Sequence, residues 1–391
     1  MSLDIVGGDL VTPSGVIPRG RLRISSDAID RVDEGGDGGE SSRPAAGEPR
    51  QLDATGCWVL PGFVDVHIHG AAGHETDDAD PDGLGAMAEF LATRGVTTFL
   101  PTTTTASHDD TLAALAAVGE AMLSPGRGAR IAGANLEGPY LSQARCGAQD
   151  PAHIRPADLA EVDELLDTGL VRIITIASEV DDNLAAIERF AEAGVQVSLG
   201  HSDATYEEAL AGIAAGGRHA THLFNAMPPL HHRAPGLAGA VLAHEDVIVE
   251  LITDGVHLHL GTVAAAYRAL GPDRACVVTD ALRATGLPEG RYPFRDRWVT
   301  HRDGAMWLDE GGLSGSALTM DRGFANLVAA TGADVAELWP AVSRTPARAA
   351  RLPRPAELAP GGMPDAVLLD GDLTVRATVI AGEVVHDARA G

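Results

Sequence analysis

The sequence predicts an α/β fold: a (β/α)8, TIM-like barrel with a small β domain formed by both ends of the chain. Three observations carry this prediction. From residue 60 onward, short apolar runs alternate with helical stretches, and eight strand candidates can be counted. Runs such as VRIITIAS and VIVELITDG are apolar almost throughout, as parallel strands covered on both faces are. The first 60 and last 30 residues instead carry strand-like runs separated by turn signals. A chain of 391 residues is long enough for a barrel domain at 60–354 and a small domain from 1–59 plus 355–391.

Taken in order, DIVGGDLVT, GRLRIS, AIDRVD and CWVLPG read as the N-terminal strands. The polar, Gly-rich segment EGGDGGESSRPAAGEPR between them reads as an exposed loop. The first barrel strand is VDVHIH, followed by a helix over Pro81–Arg94. VTTFLP precedes a helix near Asp109–Leu123, RIAGANLEG one near Ala157–Asp167, and VRIITIAS one near Asp181–Ala193. VQVSLGHSD leads into Tyr206–Ala215, HATHLFNAM into a longer loop, and VIVELITDG into Val263–Leu270. ACVVTDA is the eighth strand, and DAVLLDGDL and VRATVIAGEVV return to the small domain.

Composition excludes several functions. The net charge of −26 argues against nucleic acid and anionic membrane as partners, because phosphate binding needs basic patches. It still leaves room for a local basic pocket that holds a small anion. All 29 basic residues are arginine. With no lysine, Schiff-base chemistry, pyridoxal phosphate anchoring, a Walker-A lysine and a carboxylated-lysine metal bridge are all ruled out. Cys57, Cys146 and Cys276 have no CxxC spacing, so neither a disulfide framework nor a thiolate zinc site is expected. The start MSLDIVGGDL lacks the marks of a signal peptide, and no stretch approaches the roughly 20 apolar residues of a membrane span. A cytoplasmic protein is the simplest reading.

In a barrel of this kind, chemistry gathers at the C-terminal strand ends. In PGFVDVHIHG, Asp65, His67 and His69 alternate and so share one strand face. Later strands end in Asn135-Leu136-Glu137-Gly138, Gly200-His201-Ser202-Asp203, His219-Ala220-Thr221-His222, Thr253-Asp254 running on to His257, and Thr279-Asp280. Any one of these is ordinarily a hydrogen-bonded structural residue. Agreement across six strand ends points to a metal centre of imidazoles and carboxylates, a donor set that suits zinc or ferrous iron. His219 reads as structural. Asp65 reads either as an anchor for a histidine N–H or as a polar residue of the barrel floor. His74, His108, His153, His244, His301 and His386 lie off the pattern.

PGFVDVHIHG resembles the first-strand signature of the amidohydrolase superfamily. LEGPYL, GHSDAT, THLFNAM, DGVHLH, VTDA and LSGSALTMDRGFANLV, in that order, resemble the N-acetylglucosamine-6-phosphate deacetylases. The resemblance implies a (β/α)8 barrel with a small β-sandwich from both termini. It implies that Glu137, His201 and His222 hold the main divalent metal, with Glu137 as bridging ligand. It further implies that His67 and His69 hold a second ion, that Asp280 is the catalytic acid–base, and that one or two ions, most readily zinc with iron or manganese as alternatives, bind per subunit. Asn225 and Ala226 correspond to residues whose backbone contacts the sugar phosphate, and Gly138 joins the substrate-binding set. His257 and Arg233 correspond to phosphate-binding side chains, the arginine arriving from a neighbouring subunit of a homodimer. A guanidinium fork matches phosphate geometry. His231 and His232 beside it read as a solvated loop or as helpers.

One departure is Gln149, which stands where some members carry a histidine that polarises the amide carbonyl. Cys146 falls in the same loop, as a neighbour of the site or as a spectator thiol. The Gly-rich GGLSGS stretch at 311–316 is expected to shape the sugar pocket. The implied reaction is metal-assisted hydrolysis of the acetamide of a 6-phosphorylated amino sugar. Alternatives are an N-acetylgalactosamine-6-phosphate deacetylase, a more distant amidohydrolase such as a dihydroorotase or deaminase, and a non-catalytic metal-binding scaffold. A nicotinamide-dependent enzyme lacks its GxGxxG turn after the first strand.

Overall fold

The computed structural model describes residues 2–34, 49–124 and 126–389. Nearly all of the Gly-rich segment expected as an exposed loop lies outside them. Every residue of Phe63–Ile68 is buried, as the apolar run requires. We label this strand β1, and the barrel continues with β2 (Val96–Thr103), β3 (Ala134–Glu137), β4 (Val171–Ile176), β5 (Gln196–Leu199), β6 (Gly217–Ala220), β7 (Ile248–Ile252) and β8 (Ala275–Val278). Each pairs in parallel with the next. Two bonds close the circle just past the strand ends, Asp280 N–H to His67 O at 2.8 Å and His69 N–H to Ala281 O at 2.9 Å. The (β/α)8 barrel is therefore as the sequence predicts, and its closing seam lies among the residues singled out for chemistry.

The helices that follow the eight strands in turn are α1 (Pro81–Ala92), α2 (His108–Leu123), α3 (Leu159–Asp167), α4 (Asn183–Glu192), α5 (Tyr206–Ala214), α6 (Gly236–Ala243), α7 (Leu260–Leu270) and α8 (Met320–Thr331). Their starts follow capping chemistry. Ser107 accepts from Asp110 N–H, Asp158 from Ala160 N–H, and Thr205 with Glu208 forms a capping box. Helix α6 replaces what the sequence suggests is only loop. Its sequence, GLAGAVLA, has no polar face, so no 3.6-residue period betrays it. RIAGANLEG is also not one strand. It splits into Arg130–Ile131 and Ala134–Glu137 around Gly133, whose φ is 129°.

Between β8 and α8 lies a four-stranded antiparallel sheet, Gly290–Phe294, Arg297–Arg302, Ala305–Leu308 and Leu313–Ser316. None of its four strands is predicted from the sequence, where 311–316 is expected only to shape the sugar pocket. Asp303-Gly304, with φ of 53° and 75°, forms a hairpin turn of the kind this dipeptide favours.

The chain termini build a β-sandwich around their own core of Ile5, Leu10, Leu22, Leu368 and Val379. Trp58–Pro61 pairs antiparallel with Ala366–Leu369, which ties the two ends together. Arg130 joins this part to the barrel by a two-pronged contact with Asp365, at 3.1 and 3.2 Å. On the barrel side, Phe63 of β1 meets Phe324 of α8 with ring centroids 5.7 Å apart and both side chains fully buried. Phe324→Ala is expected to destabilise the protein by about 3–5 kcal/mol. Chemical denaturation measures this, and a loss below about 1 kcal/mol would contradict the packing described.

Candidate metal centre and active site

The strand ends turn sharply where they deliver their side chains. His201, His222 and Asp280 all have positive φ, at 47°, 29° and 48°. Such left-handed backbone is costly for residues other than glycine and collects at functional sites. Gly138 also turns the chain, at φ 101°, and a Cβ there would lie 2.2 Å from Thr105 Oγ1. It aims Glu137 without lining the cavity itself.

The hydrogen bonds decide which ring nitrogens are available. Backbone carbonyls only accept, so His69 Nδ1–H donates to Thr102 O at 3.1 Å and His201 Nδ1–H to Arg145 O at 2.9 Å. His67 Nδ1–H donates to Glu250 Oε2 at 2.9 Å. Each Nε2 thus points inward. His67 Nε2 and His69 Nε2 are 3.3 Å apart, and those of His201 and His222 are 3.1 Å apart. Glu137 sits between the pairs. Its Oε1 lies 2.9 Å from His222 Nε2, 3.0 Å from His201 Nε2 and 3.5 Å from His67 Nε2, and its Oε2 lies 3.2 Å from His69 Nε2. Asp280 Oδ1 lies 3.3 Å from His69 Nε2 and 3.6 Å from His67 Nε2.

Two three-residue groups result, His67–His69–Asp280 and Glu137–His201–His222, each with its ligand atoms within 4.8 Å of one another. With their protons held on Nδ1, His67 Nε2 and His69 Nε2 turn lone pairs toward each other at 3.3 Å, which calls for a proton or a cation between them. Burial presses the His67 imidazole toward neutrality, but Glu250, Glu137 and Asp280 outweigh it and push its pKa up to about 9. Burial alone would raise the Glu137 carboxyl, yet His201 and His67 hold it well below the usual carboxylate range. Asp280 is lowered likewise, with His67 and His69 outweighing its burial. A divalent cation can supply the same positive charge in place of protons. The donor set of imidazoles and carboxylates with no thiolate fits such an ion.

Several sequence expectations change here. Asp65 does not anchor a histidine ring. It accepts the Thr279 hydroxyl at 2.6 Å and the His67 backbone N–H at 3.3 Å, and burial pushes its pKa up to about 7. The anchor of the His67 ring is Glu250, which the sequence reading missed, although a lone carboxylate inside IVELI must find a partner. Gln149 borders the cavity, and both ends of its amide are engaged by the protein. Its Oε1 accepts Thr105 N–H at 2.6 Å and its Nε2 donates to Glu137 Oε2. His219 is structural, as expected, bonded through Nδ1 to Ser198 Oγ at 3.0 Å. The PTTTT run at 101–105 was also overlooked. Thr102 O accepts the His69 ring N–H, while Thr105 holds Gln149 through its backbone N–H and the Glu137 backbone through its hydroxyl, which donates to Glu137 O at 3.0 Å.

A cavity of about 200 Å³ opens above this centre. His69, Glu137, His201, His222 and Asp280 line it, while His67 is fully buried outside the lining. Asn225 and His257 border it on the polar side, and Ala226, Leu282, Phe294 and Leu313 supply apolar wall. Ser314 and Gly315 of the expected Gly-rich stretch also border it. His257 Nδ1 is engaged by Asp254 Oδ2 at 2.7 Å, leaving Nε2 as the ring's remaining polar atom. The Asn225 side chain is turned back onto His222 O at 3.1 Å. Arg233 is exposed on its loop, 2.7 Å from His232, and does not border this cavity.

The barrel, its closing seam and the paired histidine–carboxylate groups define a metal-dependent hydrolase of the amidohydrolase class. The chain belongs to the amidohydrolase family, whose sequence model matches residues 58–385, and within it to the N-acetylglucosamine-6-phosphate deacetylases. It is 37% identical over 336 residues to the N-acetylglucosamine-6-phosphate deacetylase of Lysinibacillus sphaericus, covering 85% of this chain and 87% of that one. It is 33% identical over 378 residues to the N-acetylgalactosamine-6-phosphate deacetylase of Escherichia coli, covering 96% and 97%. The structure of a Mycobacterium smegmatis N-acetyl-D-glucosamine-6-phosphate deacetylase mutant in complex with N-acetyl-D-glucosamine-6-phosphate superposes with a TM-score of 0.89 at 35% identity, covering 98% of this chain and 99% of that one. The family and the two ligand groups together indicate a divalent-metal centre. Among the described residues, no helix is long and apolar enough to cross a membrane.

Proposed function

We propose that this chain hydrolyses the acetamide of N-acetyl-D-glucosamine 6-phosphate, releasing D-glucosamine 6-phosphate and acetate. The observation that carries the reading is the convergence of two imidazole–carboxylate groups on Asp280 and Glu137 in the floor of one cavity. Its family relatives, named for this reaction, support it. We divide the chain into a barrel domain at 60–354 and a small domain from 1–59 and 355–391, and place the enzyme in the cytoplasm.

Glu137, His201 and His222 hold the main ion, for which zinc is the first choice, and His67 and His69 offer a second position. Such an ion, when bound, supplies Lewis acidity to the amide carbonyl and to the attacking water. Asp280 holds its carboxylate ionised beside His67 and His69, so it can accept the proton of that water. The same carboxyl then returns the proton to the leaving nitrogen. Gln149 keeps Glu137 oriented through its amide. His257, with Asn225 and Ala226, receives the 6-phosphate, and the apolar wall at Leu282 and Phe294 faces the less polar part of the substrate.

Comparing N-acetylglucosamine 6-phosphate with the unphosphorylated sugar tests the phosphate contacts. The phosphorylated substrate is expected to be preferred by at least about 100-fold in kcat/KM, since a charged hydrogen bond lost from such a pocket costs about 1.5–3 kcal/mol and more than one is made. Equal rates would remove His257 from its role. N-acetylgalactosamine 6-phosphate belongs in the same comparison, because the Escherichia coli relative carries that name.

We further propose a homodimer in which Arg233 reaches the neighbouring cavity. Its exposure, and its absence from the lining of its own cavity, support this. Mixing inactive Asp280→Asn protein with inactive Arg233→Ala protein should then restore activity, because some mixed dimers carry one complete site. No restoration after subunit exchange would contradict the arrangement.

A further inference from the structure

Glu250 lies in the middle of β7, fully buried between apolar neighbours. Its Oε2 takes two hydrogen bonds, from His67 Nδ1 at 2.9 Å and from the backbone N–H of His222 at 3.0 Å. Its own carbonyl oxygen accepts Leu223 N–H at 3.0 Å. One residue therefore grips both ligand groups. It holds a ring from the His67–His69–Asp280 group and, from two sides, the left-handed turn that presents His222 in the Glu137–His201–His222 group. The remaining carboxylate oxygen, Oε1, has no hydrogen-bond partner among the described residues, with His219 Nδ1 3.7 Å away.

Position explains why a carboxylate is placed here despite the cost of burying one. A ring nitrogen can serve as a metal ligand only if its proton sits on the other nitrogen, and an acceptor behind the ring fixes that tautomer and its angle. For His69 and His201 backbone carbonyls do this. For His67 a side chain does it, and the same oxygen also pins the neighbouring ligand's backbone.

We propose that Glu250 is a positioning residue that sets the geometry of both halves of the metal centre, so that the two ligand groups are assembled together rather than independently. This rests on the metal-dependent reading above. Substrate plays no part in its test, so the two can fail separately.

The experiment titrates metal-stripped wild type, Glu250→Gln, Glu250→Leu and Glu250→Asp with Zn²⁺ against a chelating dye, and records the visible absorption of the Co²⁺ forms. A glutamine oxygen can accept both hydrogen bonds, so Glu250→Gln is expected to bind Zn²⁺ within about threefold of wild type with an unchanged Co²⁺ spectrum. Glu250→Leu removes both bonds and is expected to lose about 10–100-fold in affinity, the range found for such outer partners, with shifted Co²⁺ bands. Glu250→Asp is too short to reach both groups and is expected to fall in the same range. It decides the matter if the leucine variant does not fold. Wild-type affinity and spectrum in the folded Leu or Asp variant would overturn the proposal, as would a Gln variant as impaired as Leu. A wild type that binds neither ion would overturn the metal-dependent reading and this inference with it.

Discussion

Asp280→Asn is expected to lower kcat by about 10²–10⁴-fold, the usual contribution of a positioned acid–base group, while leaving the bound metal in place. The argument is geometric. Asp280 is the carboxylate on the closing seam of the barrel, its backbone N–H bonded to His67 O at 2.8 Å and its φ held at 48°. Segment 313–316 braces it from the other side, with Ser316 N–H on Asp280 O at 2.8 Å. These bonds fix the backbone that presents the carboxylate, whose Oδ1 lies 3.3 Å from His69 Nε2 at the edge of the cavity. Asparagine keeps the shape and loses the base. The paired readout is kcat from acetate release together with metal content of the purified variant. Full activity would remove Asp280 from the chemistry. Loss of metal alongside loss of activity would recast it as a ligand first.

Glu137→Gln is expected to lower metal affinity by more than 100-fold and to take activity down with it. Among the described residues, Glu137 is the one carboxylate within 3.5 Å of four histidine Nε2 atoms, those of His67, His69, His201 and His222. Removing its charge leaves four inward-facing nitrogens with Asp280 alone to balance an added cation. It also places amide hydrogens where acceptor oxygens stood. Breaking a buried charged set of this kind by removing one partner costs about 3–5 kcal/mol, so the variant is expected to melt early as well. Metal analysis after dialysis, set beside thermal unfolding, checks both. Retention of a full metal complement would show that Glu137 is not a ligand.

Much of this molecule could be read in its sequence, for identifiable reasons. Parallel barrel strands are apolar on both faces, so a histidine or carboxylate at a strand end stands out against its run. That is how His67, His69, Glu137, His201, His222 and Asp280 were found. Their supports were harder to see. Glu250 looks like a stray charge in IVELI until barrel closure turns β7 and β1, with β8 between them, toward one interior, since its partner His67 is 183 positions away. Gln149 could be placed in a loop near the site, but nothing local says that its amide bonds to Glu137. Helix α6 escaped because a helix apolar all round has no amphipathic period. The antiparallel sheet at 290–316 escaped because its strands are half-exposed and rich in arginine, so alternation is blurred where Arg291 and Arg302 pack over Trp298 and Trp307.

The most direct measurement is acetate release from N-acetylglucosamine 6-phosphate by metal-stripped protein, with Zn²⁺, Fe²⁺, Mn²⁺ or nothing added back. The account predicts no release without metal and turnover restored by at least one of these ions. Release that is indifferent to metal would contradict the role given to Glu137, His201 and His222, and no release with any ion would contradict the assigned reaction.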